Sequence, residues 1–353
     1  MNQKNKGIMK EYLQGYNDYV LLGDVVYNAL QDIVKQTGIK VLAIQHRIKA
    51  EERLAGKLER KGDKYHSLAD IMDIVGTRIV CFFADDIDRL GPAIRSVFEI
   101  DYENSIDKRE QLDPNSFGYV ALHYICWLPQ GKQYPDAICG KRFEIQICSA
   151  LQHTWSVIQH EMGYKSEFDV PRQIVRDYSR LAGLLELADE RFVAIRSFMN
   201  NYSAEVKNKI AENEGGELKI DMVTLREYMN HNKGMRRLLD EICAICGAEL
   251  TSFNPEMYVS QLSWLGKTTL GGLYEMLENN YDTAVKLARL SLEGTDLDIV
   301  SSTVGLRLLC QAELLRQNCS EGQITEFMTL VSGNRERAQR QAAALLHSAA
   351  ELQ

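Results

Sequence analysis

Nowhere does the chain contain a run of about 18 apolar residues, so no segment reads as a membrane-spanning helix. Positive charge is also in short supply. With 41 Lys and Arg against 49 Asp and Glu, the formal net charge is -8, which excludes a broad cationic surface for coating duplex DNA. Any anion site must therefore be a local patch. A cysteine framework for zinc is missing too: Cys243 and Cys246, in CAIC, have ligand-type spacing, but Cys310 and Cys319 are too far apart to supply the second pair. The eight cysteines are read as reduced core thiols of a reducing compartment. The opening residues, MNQKNKGIMKEYLQGYNDY, are too polar and acidic for a signal or transit peptide, and the expected location is cytoplasmic.

What is present is ordinary globular composition, 45% hydrophobic and 25% charged, over a length of 353 residues that favours two domains. The densest chemical signal is DIVGTR, Asp73 to Arg78, running into the apolar IVCFF. A carboxylate and a guanidinium bracket a glycine ahead of a buried strand, which suits the grip of a polyanion and its metal. Asp73 is placed in the lead-in, with Gly76 absorbing a bend. Before it, residues 8–36 read as a helix, and so do 41–61, where Lys49, Arg53, Lys57 and Arg60 follow at steps of four, four and three and share a face. Interspersed Glu51, Glu52 and Glu59 would make that stripe a solvated surface; its place before DIVGTR favours a triphosphate site.

Downstream, 101–117 reads as a substrate-side loop leading to GYVALHYICWL, whose alternation puts Tyr119, Ala121 and His123 on one face. Tyr119 either stacks a nucleobase or is a half-buried strand aromatic. In RFEIQI the apolar Phe143, Ile145 and Ile147 alternate with Glu144 and Gln146, and a carboxylate on a central strand needs a cation, a metal or hydrogen-bond partners. The next helix, SALQHTWSVIQHEMGYK, is given a core face of Leu151, Trp155, Ile158 and Met162; His153 and His160 are not assigned zinc. From Pro171 to about Ile210 runs a heptad seam that either self-associates or lies against the sheet and the following domain. A polar hinge over 211–219 is taken as the linker, and 220–353 reads as all helical, without a catalytic constellation.

Residues 41–192 resemble the synthetase domain of the RelA/SpoT family, which makes the alarmone (p)ppGpp. The resemblance rests on RIK at 47–49 and the basic helix after it, DIVGTRIVC at 73–81, PNSFGYVALHY at 114–124, FEIQI at 143–147 and HTWSVIQHEMGYK. It implies an α+β fold, a mixed β-sheet flanked by helices of the nucleotidyltransferase-like kind. In that reading residues 1–210 form the synthetase domain and 220–353 an all-α regulatory or interaction domain, as in a small alarmone synthetase with a helical extension and no hydrolase domain. The implied activity is that of a GTP pyrophosphokinase of the stringent response, moving pyrophosphate from ATP to the 3′-hydroxyl of GDP or GTP. Arg47, Lys49, Lys57, Arg60 and Lys61 would contact ATP, Asp73 would hold Mg2+ with Glu144 as the catalytic base or a second carboxylate on the metal, and Arg78 would assist at the phosphates. On the acceptor side the resemblance points to Tyr119, His123, Gln146, His153 and Lys165. Where the family commonly has GYRSLH and QIRT, this chain has Val120 and Ala121, and Cys148 and Ser149. These losses leave open a tRNA 3′ end or an adenine nucleotide as acceptor, or a catalytically weak nucleotide-binding regulator, and a homo-oligomer is left open as well.

Overall fold

The computed structural model describes residues 3–61, 64–111, 118, 121–131, 134–162, 171–212, 214–252 and 254–352. Contacts divide the chain into two units, Met1–Arg196 and Ser197–Gln353.

In the first unit, α1 (Gln3–Gln14) and α2 (Tyr16–Thr37) replace the single expected helix, breaking at Gly15. The buried stripe of α2 is Leu22, Val26, Leu30 and Ile33, at helical spacing, while Val20 and Leu21 face outward. Gly38, at φ 66°, closes the helix in the left-handed conformation that a residue without Cβ adopts freely. The 41–61 segment is not one helix: β1 (Val41–Ile48) comes first and α3 (Glu51–Lys61) follows. Between α3 and the next strand the chain makes one 3-10 turn, Leu68–Asp70, with Asp73 beyond it. Next come β2 (Val75–Cys81), α4 (Asp86–Val97), the two-residue strands β3 (Glu99–Ile100) and β4 (Ile106–Asp107), and a single turn α5 (Lys108–Gln111). Then follow β5 (Leu122–Trp127), β6 (Phe143–Ser149), α6 (Ala150–Glu161) and α7 (Arg172–Ala211).

The strands form one mixed sheet in the order β1-β2-β6-β5-β3, with β4 pairing β5. β2 and β6 run parallel; the β1–β2 and β5–β6 pairs are antiparallel. Strand alternation splits the two faces. Ile79, Ile145 and Ile147 join Leu22, Val26, Leu30, Leu90 and Ile94 in one core, so the helices α2 and α4 cover that side. The opposite face carries Gln45, Arg47, Arg78, Glu144, Gln146 and His123, aligned by register. α6 does not present its expected core face: Trp155 is buried, but Ile158 and Met162 are 50% and 68% exposed. In the part of α7 that belongs to the first unit the buried positions are Tyr178, Ala182 and Asp189, whereas Leu181, Phe192 and Ile195 of the expected seam are exposed.

The unit division falls inside α7 rather than at the 211–219 hinge. The last turns of α7 already contribute Val206 and Ile210 to the core of the second unit. Residues 215–217 form a 3-10 turn on that same core, where a Cβ on Gly215 would meet the Tyr274 hydroxyl at 3.3 Å. The second unit continues with α8 (Met222–His231), α9 (Lys233–Cys246), β7 (Glu249–Thr251), α10 (Met257–Trp264) and α11 (Leu270–Leu292). It ends with β8 (Ile299–Ser301), α12 (Val304–Arg316), α13 (Glu321–Ser332) and α14 (Arg335–Glu351). It is helical apart from the parallel pair β7–β8. Asp221 and Ser320 cap their helices as their residue types favour. No described helix is long and apolar enough to cross a membrane.

A fully buried carboxylate organises this unit. Glu313 accepts hydrogen bonds at 2.8 Å from Asn280 Nδ2, Arg316 Nε and Nη2, and Gln317 Nε2. The Arg316 bonds outweigh burial and hold its carboxyl at about 2. Because the folded-state value is depressed, the stabilisation is complete above the ordinary value of 4.5 and is lost as pH falls towards 2. Glu313→Ala removes the acceptor that Asn280, Arg316 and Gln317 share, leaving Asn280 Nδ2 only its bond to Met276 O, and is expected to cost about 3 kcal/mol, read as a lower melting temperature of the second unit at pH 7. Glu313→Gln should flatten the decline in stability on acidification over that same range.

Candidate active site

β1 and β2 are antiparallel, so the end of β1 meets the start of β2, and the backbone N–H of Lys49 donates to Ile74 O at 2.8 Å. That junction fixes the first cluster. Asp73 sits just ahead of β2, and its two oxygens accept from Lys49 Nζ and Lys57 Nζ, both at 2.7 Å. Lys57 reaches inward from α3 because its neighbours Leu54 and Leu58 are fully buried and pin that face of the helix. Its ammonium also lies 5.2 Å from the centroid of the Tyr65 ring. Burial works against charge on Asp73, but the two ammonium groups outweigh it and hold the carboxyl below its usual range. Burial likewise opposes charge on Lys57, and the Asp73 bond raises its affinity for the proton.

The second cluster lies across the strands. Register places Arg47, Gly76 and Glu144 side by side, and beside them Gln45, Arg78, Gln146 and His123. Glu144 Oε1 accepts from His123 Nδ1 at 2.8 Å and Oε2 from Gln146 Nε2 at 2.9 Å. Gln146 Oε1 in turn accepts from Arg78 Nε and Nη2, at 3.2 and 2.8 Å. Arg78 Nη1 donates to His153 Nδ1 on α6 at 3.2 Å. A continuous chain thus runs from His123 to His153. Burial pushes the Glu144 carboxyl up, His123 and Gln146 pull it down further, and the net value lies below the usual range. The Asp73 charge opposes that fall, so the two carboxylates are within electrostatic reach of each other. Burial, then the Arg78 charge, lowers the proton affinity of His153.

The second cluster lines a cleft of about 120 Å³, walled by Gln45, His46, Arg47, Gly76, Thr77, Arg78, Glu144 and Gln146. Gly76 is in regular register with both neighbouring strands and does not bend the chain. Its contribution is space: with no side chain between Arg47 and Glu144, the floor stays open, and an added Cβ would first meet Arg47 Nε at 3.7 Å.

Of the residues singled out from the sequence, the structure thus gathers Asp73, Lys49 and Lys57 in one cluster and Arg47, Arg78, His123, Glu144, Gln146 and His153 in or beside the other. Arg53, Arg60 and Lys61 are exposed on α3 and make none of these contacts. Tyr119 and Lys165 lie outside the described residues. Reading 41–61 as a helix hid Gln45 and His46. The overlooked signal was the strand-like VLAIQHRI, and His46 Nε2 is anchored from α2 by Asp24 Oδ1 at 3.3 Å.

Residues 46–169 match the family described as "Region found in RelA / SpoT proteins". The chain is similar to GTP pyrophosphokinase YwaC of Bacillus subtilis, at 28% identity over 42% of this chain and 71% of that protein. It is also similar to GTP pyrophosphokinase YjbM of the same organism, at 25% identity over 46% of this chain and 75% of that protein. Among solved structures, small alarmone synthetase 1 from Bacillus subtilis aligns with a TM-score of 0.46 at 21% identity, over 54% of this chain and 99% of that one. The matched region, residues 46–169, carries all but one of the residues that line the cleft.

Proposed function

We propose that this protein is a GTP pyrophosphokinase that transfers the β,γ-pyrophosphate of ATP to the 3′-hydroxyl of GDP or GTP. The observation that carries this reading is a pair of carboxylates with cations beside them: Asp73, held by Lys49 and Lys57 just ahead of β2, and Glu144, in a cleft that Arg47 and Arg78 also line, with the Asp73 charge felt at Glu144. Pyrophosphoryl transfer asks for charge neutralisation and in-line placement more than for covalent help, and this set of groups offers both. The two similar proteins named as GTP pyrophosphokinases support the choice of acceptor.

Lys49 and Lys57 leave Asp73 to bind the triphosphate oxygens, and Arg47 and Arg78 flank the transferred group. Glu144, ionised at neutral pH, accepts the proton of the 3′-hydroxyl. That oxygen forms its bond to the β-phosphorus while the bond to the α,β-bridging oxygen breaks and AMP departs. His123 and Gln146 hold both oxygens of Glu144, so the base meets the hydroxyl already oriented. The donor set fits Mg2+: two hard carboxylates leave the remaining positions to phosphate oxygens and water, and no described cluster of three or more His, Cys, Asp or Glu forms a complete protein cage. When bound, the ion would supply charge neutralisation at the triphosphate through Asp73 and Glu144.

The acceptor is tested by incubating the protein with γ-labelled ATP, magnesium and, in turn, GDP, GTP, AMP or deacylated tRNA. Label on GDP or GTP is the expected result. Label on AMP or tRNA instead would overturn the acceptor assignment, and tight ATP binding without transfer to any of the four would overturn the enzyme.

A further inference from the structure

The helical unit contains a second cleft that the synthetase reading does not use. It measures about 220 Å³ and is formed where α10, α12, α13 and α14 converge. Arg307 and Gln311 line it from α12, and Arg337 and Gln341 from α14. Each pair is spaced i, i+4 and so shares one helix face, which aims two guanidinium groups and two amides at the same space. The opposite wall is apolar, from Phe327, Met328 and Val331 of α13. Tyr258 and Gln261 close the inner end; both are buried, and Gln261 is held by its amide Nε2 donating to Phe327 O at 3.3 Å. None of the lining residues is acidic, and among the described residues neither Arg307 nor Arg337 forms an ion pair. In a chain of net charge -8, two unpaired arginines facing one cleft opposite an apolar wall are a polarised arrangement.

We propose that this cleft is a binding site for a small organic anion, one phosphate or carboxylate carried on a flat or apolar body. The charged end pairs with Arg307 and Arg337, Gln311 and Gln341 complete its hydrogen bonds, and the body lies against Phe327 and Val331. The count of cations sets the class: two guanidinium groups match a single phosphate or carboxylate, so a monophosphate suits the site better than a polyphosphate. The site lies within the helical unit, and the inference does not depend on the synthetase chemistry.

The test uses the full-length chain and peptide-resolved hydrogen exchange with GMP, AMP, citrate or sodium sulfate as probes. Protection of peptides from α10, α12, α13 and α14 is expected with the nucleoside monophosphates if phosphate is read, or with citrate if carboxylate is read. Half-saturation is expected at or below ~1 mM. Arg307→Glu with Arg337→Glu changes two exposed side chains, and so should leave the fold and the synthetase peptides unchanged while weakening that protection at least about tenfold. The proposal is overturned by no protection with any probe, by protection that the double variant retains, or by sulfate acting as strongly as the organic anions.

Discussion

Glu144→Gln is expected to lower the rate of pyrophosphate transfer by about 10² to 10⁴, with little change in KM for either nucleotide. The substitution keeps the shape of the side chain and leaves an oxygen for the His123 Nδ1–H donor, so the sheet and the cleft should survive. What it removes is the group that accepts the hydroxyl proton. The pH profile adds a second readout. Burial raises the Glu144 carboxyl, but His123 and Gln146 together bring it below its ordinary value, so the wild-type rate should show no limb from this group across about pH 6 to 8. In His123→Ala the opposing burial and the Asp73 charge remain, and the acidic limb should move upward. A profile unchanged in His123→Ala would contradict the role given to that hydrogen bond.

Asp73→Asn is expected to reduce kcat by at least about 10², since it removes the carboxylate best placed to hold a cation at the triphosphate. ATP binding should persist or tighten. In the nucleotide-free protein, Lys49 and Lys57 each give one hydrogen bond to Asp73 at 2.7 Å, and a neutral amide releases both cations towards phosphate. Nucleotide titration by calorimetry alongside turnover separates the two effects. Lost ATP affinity with unchanged kcat would show that Asp73 only positions the lysines.

The parts of this site that could be read from sequence are those set by local pattern. Glu144 and Gln146 alternate with Phe143, Ile145 and Ile147, and the strand is central, so its polar face was visible without coordinates. β1 was missed because it is an edge strand of intermediate and exposed residues with a register shift near Val41, so its alternation is weak. The regular charge spacing of α3 then extended a helix backwards across it. The partnership of Glu144 with Asp73 and Arg78 was accessible only through the family resemblance, because it comes from β2 and β6 lying parallel across 68 residues between Arg78 and Gln146. The α7 seam was legible in part. Its Tyr178 is buried, along with Ala182 and Asp189, whereas at Leu181, Phe192 and Ile195 the seam faces outward, so the alternative in which it lies against the sheet does not hold at those positions. One of those packed contacts is polar, with Asp189 accepting from the buried Ser149 hydroxyl at 2.5 Å, and hydrophobic periodicity does not register it.

Whether the terminal two phosphates of ATP move as one unit is decided by following ATP labelled at the α-phosphate in one sample and at the γ-phosphate in another, each with GTP and magnesium. A pyrophosphotransfer centre built from Asp73, Glu144 and the flanking cations yields labelled AMP from the first and, in equal amount, GTP carrying a labelled 3′-pyrophosphate from the second. Labelled ADP from the first sample, with free phosphate or a single transferred phosphate in the second, would contradict it.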